Sequence, residues 1–191
     1  MTLRLDLLRH GETELGGGLR GSLDDALTER GWQQMHDAVL EGGPWARLVS
    51  SPLKRCALFA QLIAERRGLA LRLEPDVQEL HFGQWEGRSA ADLMVTDEAG
   101  LGRFWTDPYS FTPPDGEPVE RFSQRVLAAI QRLQANHDGE RILLVCHGGV
   151  MRLLLARARG LPRTDLLQVQ VAHGGMFSLS VEADGRLCEL R

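Results

Sequence analysis

The chain has 191 residues, 43% of them hydrophobic and 25% charged, and it carries a net charge of -4. This composition is typical of one soluble globular domain, here expected to span residues 1–191, and it argues against a nucleic-acid-binding protein. No apolar run approaches the ~20 residues of a membrane span, so no membrane partner is expected. The N-terminus enters a strand pattern without room for a signal peptide, and the three scattered cysteines suit a reducing compartment, which together predict a cytoplasmic protein.

The first predicted element is a buried strand at residues 5–8, which ends at Arg9 and His10. Ligands of open α/β sheets bind at the carboxyl ends of the strands, so polar side chains at this point are candidates for a site. Considered alone, this pair favours a structural interpretation, in which His10 caps the strand and Arg9 pairs with a carboxylate, over a functional one.

A glycine-rich stretch at residues 16–22 follows the first strand. It is either a flexible loop or a place where backbone N–H groups, including those of Gly21 and Ser22, approach an anion. Thr28 is then a suitable N-cap for an amphipathic helix.

The next unit is a short buried strand at residues 47–50 and a helix that extends to about Arg67. We predict Ser51 as its N-cap and Pro52 as its first residue. Arg55 would then lie in the first turn, where a positive charge is unfavourable unless an anion binds there. A solvated surface arginine is the alternative.

Residues 71–74 alternate like an edge strand, and residues 77–87 fit neither helical nor strand periodicity. We interpret residues 77–87 as a structured loop that holds Glu79 near aromatic rings. The same sequence is equally compatible with a loop on which Glu79 is solvated. The turn-rich residues 88–118 are predicted to form short helical pieces that act as a small cap or lid.

A clear amphipathic helix is predicted over residues 119–136, and residues 141–146 form the most convincing buried parallel strand. That strand ends at His147 and Gly148, before a helix that extends to Arg159. Further strand-like runs are expected at residues 166–172, 175–182 and 186–190.

Strands alternate with helices along most of the chain, which predicts an α/β protein. We expect a three-layer α/β/α sandwich whose sheet is mostly parallel, with an antiparallel edge strand contributed by the C-terminal runs. A second His-Gly-Gly sequence, beginning at His173, favours strand and turn structure over chemistry.

Two strand-end histidines and two arginines are predicted to meet at one edge of this sheet: His10, His147, Arg9 and Arg55. Guanidinium groups and glycine-backed helix starts such as that at Gly148 suit a phosphate group. A neutral His10 can attack phosphorus, and a protonated Glu79 can donate to the leaving alcohol.

Three other interpretations compete with this one. The histidines lack H-x-H or H-E-x-x-H spacing, so a metal site has weak support and no metal or other cofactor is expected. Cys146 and Arg152 form a C-x5-R arrangement like that of cysteine-dependent phosphatases, but this reading leaves the two strand-end arginines and Glu79 unexplained. A fold that binds phosphorylated ligands without turnover is the third alternative.

Five blocks of the sequence, in the same order, resemble the motifs of the histidine phosphatase superfamily, which includes the cofactor-dependent phosphoglycerate mutases. They are Leu8-Arg9-His10-Gly11-Glu12-Thr13, the segment 24–31, Ser50-Ser51-Pro52-Leu53-Lys54-Arg55, the segment 79–87 and the segment 145–152. The resemblance implies a phosphoglycerate mutase-like fold with His10 as nucleophile and Glu79 as proton donor. It also implies that Arg9, Arg55 and His147 form the phosphate pocket.

The stretch between Glu79 and His147 is shorter than the mutases of this superfamily require, so the chain resembles a hydrolase of small phosphomonoesters more closely. A broad-specificity sugar-phosphate phosphatase and a mutase are the alternatives. A homodimer is compatible with the sequence, which gives no direct sign of the oligomeric state.

Overall fold

The computed structural model describes residues 2–190, and its centre is a six-stranded sheet with the strand order β3-β2-β4-β1-β5-β6. The strands are β1 (Leu3–Arg9), β2 (Arg47–Ser50), β3 (Ala70–Leu73), β4 (Arg141–Cys146), β5 (Met176–Val181) and β6 (Leu187–Leu190). The four strands from β3 to β1 are parallel, whereas β5 is antiparallel to both of its neighbours. The predicted mostly parallel sheet with antiparallel pairing at its C-terminal edge is confirmed.

Helices cover both faces of this sheet and complete the predicted sandwich. They are α1 (Glu29–Leu40), α2 (Lys54–Arg67), α3 (Ala90–Thr96), α4 (Glu98–Thr106), α5 (Val119–Asn136) and α6 (Gly148–Ala158). Short 3₁₀ helices lie at Pro75–Val77, Gly83–Trp85 and Arg163–Gln168. None of the helices within residues 2–190 is both long and apolar enough to cross a bilayer.

The alternation of side chains along β1 divides the core between the two faces of the sheet. Leu5 and Leu7 are fully buried in the cluster that contains the apolar faces of α5 and α6. Leu8 points the other way, into the cluster formed with α1 and α2. Burial on both faces explains why this strand is a nearly continuous apolar run.

Two local predictions were wrong. Helix α2 begins at Lys54 rather than Pro52, and its N-cap residue Leu53 has no side-chain capping bond. Residues 166–172 do not form a strand, because the carbonyl groups of Val169 and Val171 accept hydrogen bonds from arginine side chains instead of a neighbouring strand.

Residues 88–118 contain α3 and α4, in agreement with the predicted short helical pieces. Leu93, Leu101 and Phe104 of these helices are buried in the same cluster as the α5 side of the sheet. The Phe104 ring also meets Trp85 edge to face, with ring centroids 5.7 Å apart. That this segment works as a lid, and that 1–191 is one domain, stay predictions.

The parallel strands end level with one another, and this alignment positions the candidate site. Arg9 is paired with Cys146, and Ser50 is paired with Val145. The residues that follow β1, β2 and β4 therefore emerge side by side at one edge of the sheet, as expected for an α/β ligand site.

Candidate functional site

His10 follows β1 and is only 4% exposed. Its Nδ1 lies 2.8 Å from the carbonyl oxygen of Gly11, and because that oxygen can only accept, Nδ1 carries the proton. The free lone pair is then on Nε2. Burial, followed by the positive charge of Arg55, holds the pKa of His10 well below its ordinary value of 6.5. The ring is therefore neutral at pH 7.

Arg9 is held beside His10 by the C-terminal part of the chain. Its Nη1 donates to the carbonyl of Val171 at 2.5 Å, and its Nη2 donates to Nε2 of His173 at 3.1 Å. Burial lowers the pKa of Arg9 to about 10, so the guanidinium is still charged at neutral pH. Its Nε is buried without a hydrogen-bond partner in the described structure, which leaves one donor for an anion.

Arg55 is fully buried, so the alternative of a solvated surface arginine is wrong. Its two Nη atoms donate to the carbonyls of Leu23 at 2.6 Å and Gly21 at 2.8 Å, and its Nε donates to Nδ1 of His147 at 3.3 Å. The Asp25 carboxylate lies 3.6 Å away and balances the buried charge. These contacts fix the guanidinium at the start of α2.

His147 is fully buried and lies beside His10, with ring centroids 5.3 Å apart. Because its Nδ1 accepts from Arg55, its Nε2 carries the proton and donates to Oγ of Ser51 at 2.7 Å. Burial, followed by Arg55, also holds the pKa of His147 well below 6.5. Ser51 Oγ also accepts from the N–H of Leu53 at 3.4 Å, but α2 begins only after that residue, so the closer partner of Ser51 is His147 and not the helix.

Glu79 is half-buried and is attached to the first turn of α6. Its Oε2 accepts from the N–H of Gly149 at 3.0 Å, and its Oε1 accepts from the N–H of Leu80 at 3.0 Å. A side chain at position 149 would collide with the Glu79 carboxylate, so only glycine permits this approach. The carboxyl group is thereby oriented at the start of α6, where its charge acts on Arg9.

The three residues predicted to offer backbone N–H groups to a phosphate, Gly148, Gly21 and Ser22, have different neighbours in the structure. Gly148 begins α6 against the guanidinium of Arg9. Gly21 has a φ of 47°, a left-handed conformation that favours glycine, and its carbonyl accepts a hydrogen bond from Arg55.

Ser22 is bound to Glu86, whose carboxylate accepts hydrogen bonds from both the N–H and the hydroxyl of Ser22. A phosphate role for Ser22 would require it to leave this carboxylate and stays a prediction.

The structure argues against the thiol mechanism. Cys146 is fully buried at the end of β4, and burial raises the pKa of its thiol well above the ordinary value of 9. A thiol in this environment is not available as a thiolate at neutral pH.

Two residues of the site were not assigned to it by the sequence. His173, which was expected to be structural, lies with its ring centroid 5.7 Å from that of His10. Arg125 of α5 donates to the carbonyls of Asp76, Gln78 and Glu79 and so holds the loop that carries the candidate acid. Only the repeated His-Gly-Gly sequence could have drawn attention to His173, and nothing local marked Arg125.

An open cleft of about 560 Å³ begins at Glu79. Its walls come from the 77–87 loop, the turn at 115–118 and the start of α5. Among residues 2–190, no three His, Cys, Asp or Glu side chains are grouped so that they could hold a metal ion. The predicted independence of metal stays a prediction.

Because His10 and His147 are buried in their neutral form, we expect the protein to lose folding stability in mild acid. His10 and His147 stay neutral when folded but bind protons below pH ~6.5 when unfolded, so the free energy of unfolding falls as the pH drops through that value. Each contributes up to ~1.4 kcal/mol per pH unit. Urea unfolding between pH ~7.5 and ~5 measures the slope. A His10→Asn variant should have a shallower slope, and an unchanged slope would contradict the buried neutral state.

Comparisons with known proteins show what this chain is similar to in sequence and in fold. The sequence profile of the histidine phosphatase superfamily (branch 1) matches residues 5–191. The adenosylcobalamin/alpha-ribazole phosphatase of Salmonella typhimurium is 36% identical over 184 residues, covering 94% of this chain and 91% of that protein. The glucosyl-3-phosphoglycerate phosphatase of Mycobacterium tuberculosis is 32% identical over 171 residues, covering 83% and 76%. The crystal structure of the alpha-ribazole phosphatase from Shigella flexneri has a TM-score of 0.84 at 31% identity, covering 98% of this chain and 94% of that chain.

Proposed function

The chain belongs to the histidine phosphatase superfamily, and from this premise we propose that it hydrolyses small phosphate monoesters through a phosphohistidine, without a metal ion. The observation that carries the proposal is the state of His10. Its Nδ1–H is bound to the Gly11 carbonyl and its pKa is well below 6.5, so Nε2 offers a lone pair at neutral pH.

In the proposed first step, Nε2 of His10 attacks phosphorus and the bond to the leaving oxygen breaks. Glu79, as the proposed acid of this step, gives a proton to that oxygen, so the product leaves as a neutral alcohol. In the second step Glu79 takes a proton from water, the resulting hydroxide attacks phosphorus, and the N–P bond breaks. His10 recovers its lone pair, and inorganic phosphate is released.

The two arginines supply most of the charge that the phosphoryl group requires. Arg9 has one buried donor without a partner, and Arg55 is held rigidly by carbonyl groups and His147. Positive groups fixed in advance stabilise the transferring phosphoryl group without reorganisation. Binding of phosphate to His147 would require its Nε2–H to exchange Ser51 for a phosphate oxygen.

We propose α-ribazole 5′-phosphate as the substrate, in the assembly of the cobalamin nucleotide loop. The support is similarity to relatives that carry this activity in their names, over nearly the whole length of both chains. The cleft beside Glu79 would hold the leaving alcohol. A cytoplasmic location is part of the proposal and rests on the sequence alone, whereas the homodimer stays a prediction.

A sugar-phosphate phosphatase is the second candidate, because a similar mycobacterial protein is named glucosyl-3-phosphoglycerate phosphatase, after a phosphate ester that carries a sugar. The walls of the cleft include several polar side chains that could bind sugar hydroxyls, among them Gln78, His81 and Glu117.

A substrate panel tests both candidates. We expect hydrolysis of α-ribazole 5′-phosphate with a kcat/KM at least ~10-fold above that for sugar phosphates and phosphoglycerates, which corresponds to ~1.4 kcal/mol of discrimination. Activity should be unchanged in EDTA. A higher kcat/KM for sugar phosphates than for α-ribazole 5′-phosphate would favour the second candidate. Loss of activity in EDTA would contradict the metal-independent mechanism.

A further inference from the structure

His173 contacts the site through Arg9. Its Nε2 lies 3.1 Å from Nη2 of Arg9, and because a guanidinium can only donate, Nε2 of His173 is the acceptor and its proton is on Nδ1. The neighbouring carbonyl of Val171 accepts from Nη1 of the same guanidinium. The segment 171–173 therefore binds both Nη atoms of Arg9 and leaves its Nε unpartnered.

We propose that His173 is a positioning residue that holds the Arg9 guanidinium in the orientation that binds the phosphoryl group. The inference rests on the proposed phosphatase function. His173 acts on the substrate through Arg9, since two donors of the guanidinium are bound by the chain and its plane is thereby fixed. Without the acceptor at residue 173, the carbonyl of Val171 alone would hold Arg9, and the guanidinium could rotate about that bond.

The charged surroundings of His173 favour its neutral, accepting form. In addition to burial, the positive charges of Arg9 and Arg20 lower the pKa of His173, and the negative charge of Glu12 raises it. The neutral ring of His10 lies beside it. Burial and Arg9 together lower its pKa to about 4. His173 is consequently an acceptor over the neutral pH range and is converted into a donor, which Arg9 cannot bond, only in acid.

The test compares His173→Gln, which keeps an acceptor at a similar reach, with His173→Ala, which removes it. We expect His173→Ala to weaken the affinity for inorganic phosphate, measured by calorimetry, and to lower kcat/KM for a phosphomonoester, each by about tenfold. His173→Gln should restore most of both. Over the acidic range in which circular dichroism shows both proteins folded, wild type should also lose kcat/KM toward a pH of about 4, and that loss should be smaller in His173→Gln, which has no imidazole at this position.

The outcomes separate this inference from the function on which it rests. If wild type neither binds phosphate nor turns over a phosphomonoester, the proposed function fails. If wild type is active and His173→Ala matches it, or if Gln and Ala are equally impaired with unchanged acid profiles, the positioning role is wrong.

Discussion

His10→Ala is expected to abolish phosphomonoester hydrolysis, lowering kcat by a factor of roughly 10⁴ or more, because removal of a nucleophile costs the covalent pathway as a whole. The fold should survive, since a small apolar side chain replaces a neutral ring. A steady-state assay measures the loss. Rapid quenching with labelled substrate should trap an acid-labile, alkali-stable phosphoenzyme in wild type and none in the variant.

Cys146→Ala is the matched control, because Cys146 lies at the end of the adjacent strand β4 and its thiol is fully buried. We expect this variant to keep near wild-type turnover and to form the same phosphoenzyme. A variant pair with the opposite behaviour, active without His10 and inactive without the thiol, would assign the reaction to the cysteine.

Arg55→Met is expected to damage both folding and phosphate binding. It leaves the carbonyls of Gly21 and Leu23 and Nδ1 of His147 without their donor, and it leaves Asp25 with less compensating charge. Breaking a buried charged group of this kind costs about 3–5 kcal/mol. Urea unfolding measures the loss of stability, and calorimetry with inorganic phosphate should detect no binding.

Two further variants distinguish a loss of phosphate binding from a loss of folding stability. Arg159→Met removes a more exposed arginine paired with Glu189 on the surface, and it should cost under ~1 kcal/mol without affecting activity. Arg55→Lys retains the charge but cannot bridge the same acceptors, so we expect phosphate to bind at least about tenfold more weakly. Wild-type phosphate affinity in Arg55→Lys would contradict a specific role for the guanidinium.

The strands and the long helices could be predicted because each is specified by its own residues. The apolar run of β1, the periodicity of α5 and the strand-to-histidine transition at His147 are all local patterns. The convergence of His10 and His147 also followed, because parallel strands bring their carboxyl ends to one edge.

The errors occurred where a distant partner overrode a local preference. Ser51 has the sequence of an N-cap, yet its hydroxyl binds His147, which is 96 positions away in sequence. Val169 and Val171 have the alternation of a strand, yet their carbonyls are bound by arginines of β1 and α6. His173 contacts Arg9 across a separation of 164 positions, and the repeated His-Gly-Gly sequence marks the residue but does not indicate this partner.

The strand order has a consequence for synthesis of the chain. Strand β1 is made first, but both of its neighbours, β4 and β5, begin at Arg141 or later. Until Arg141 and the residues after it have been synthesised, at ~5–20 residues per second, β1 is an apolar strand with two unpaired edges, the kind of segment that associates with other chains. The strand that supplies the proposed nucleophile is therefore also the one most exposed to misassembly until the C-terminal strands have been translated.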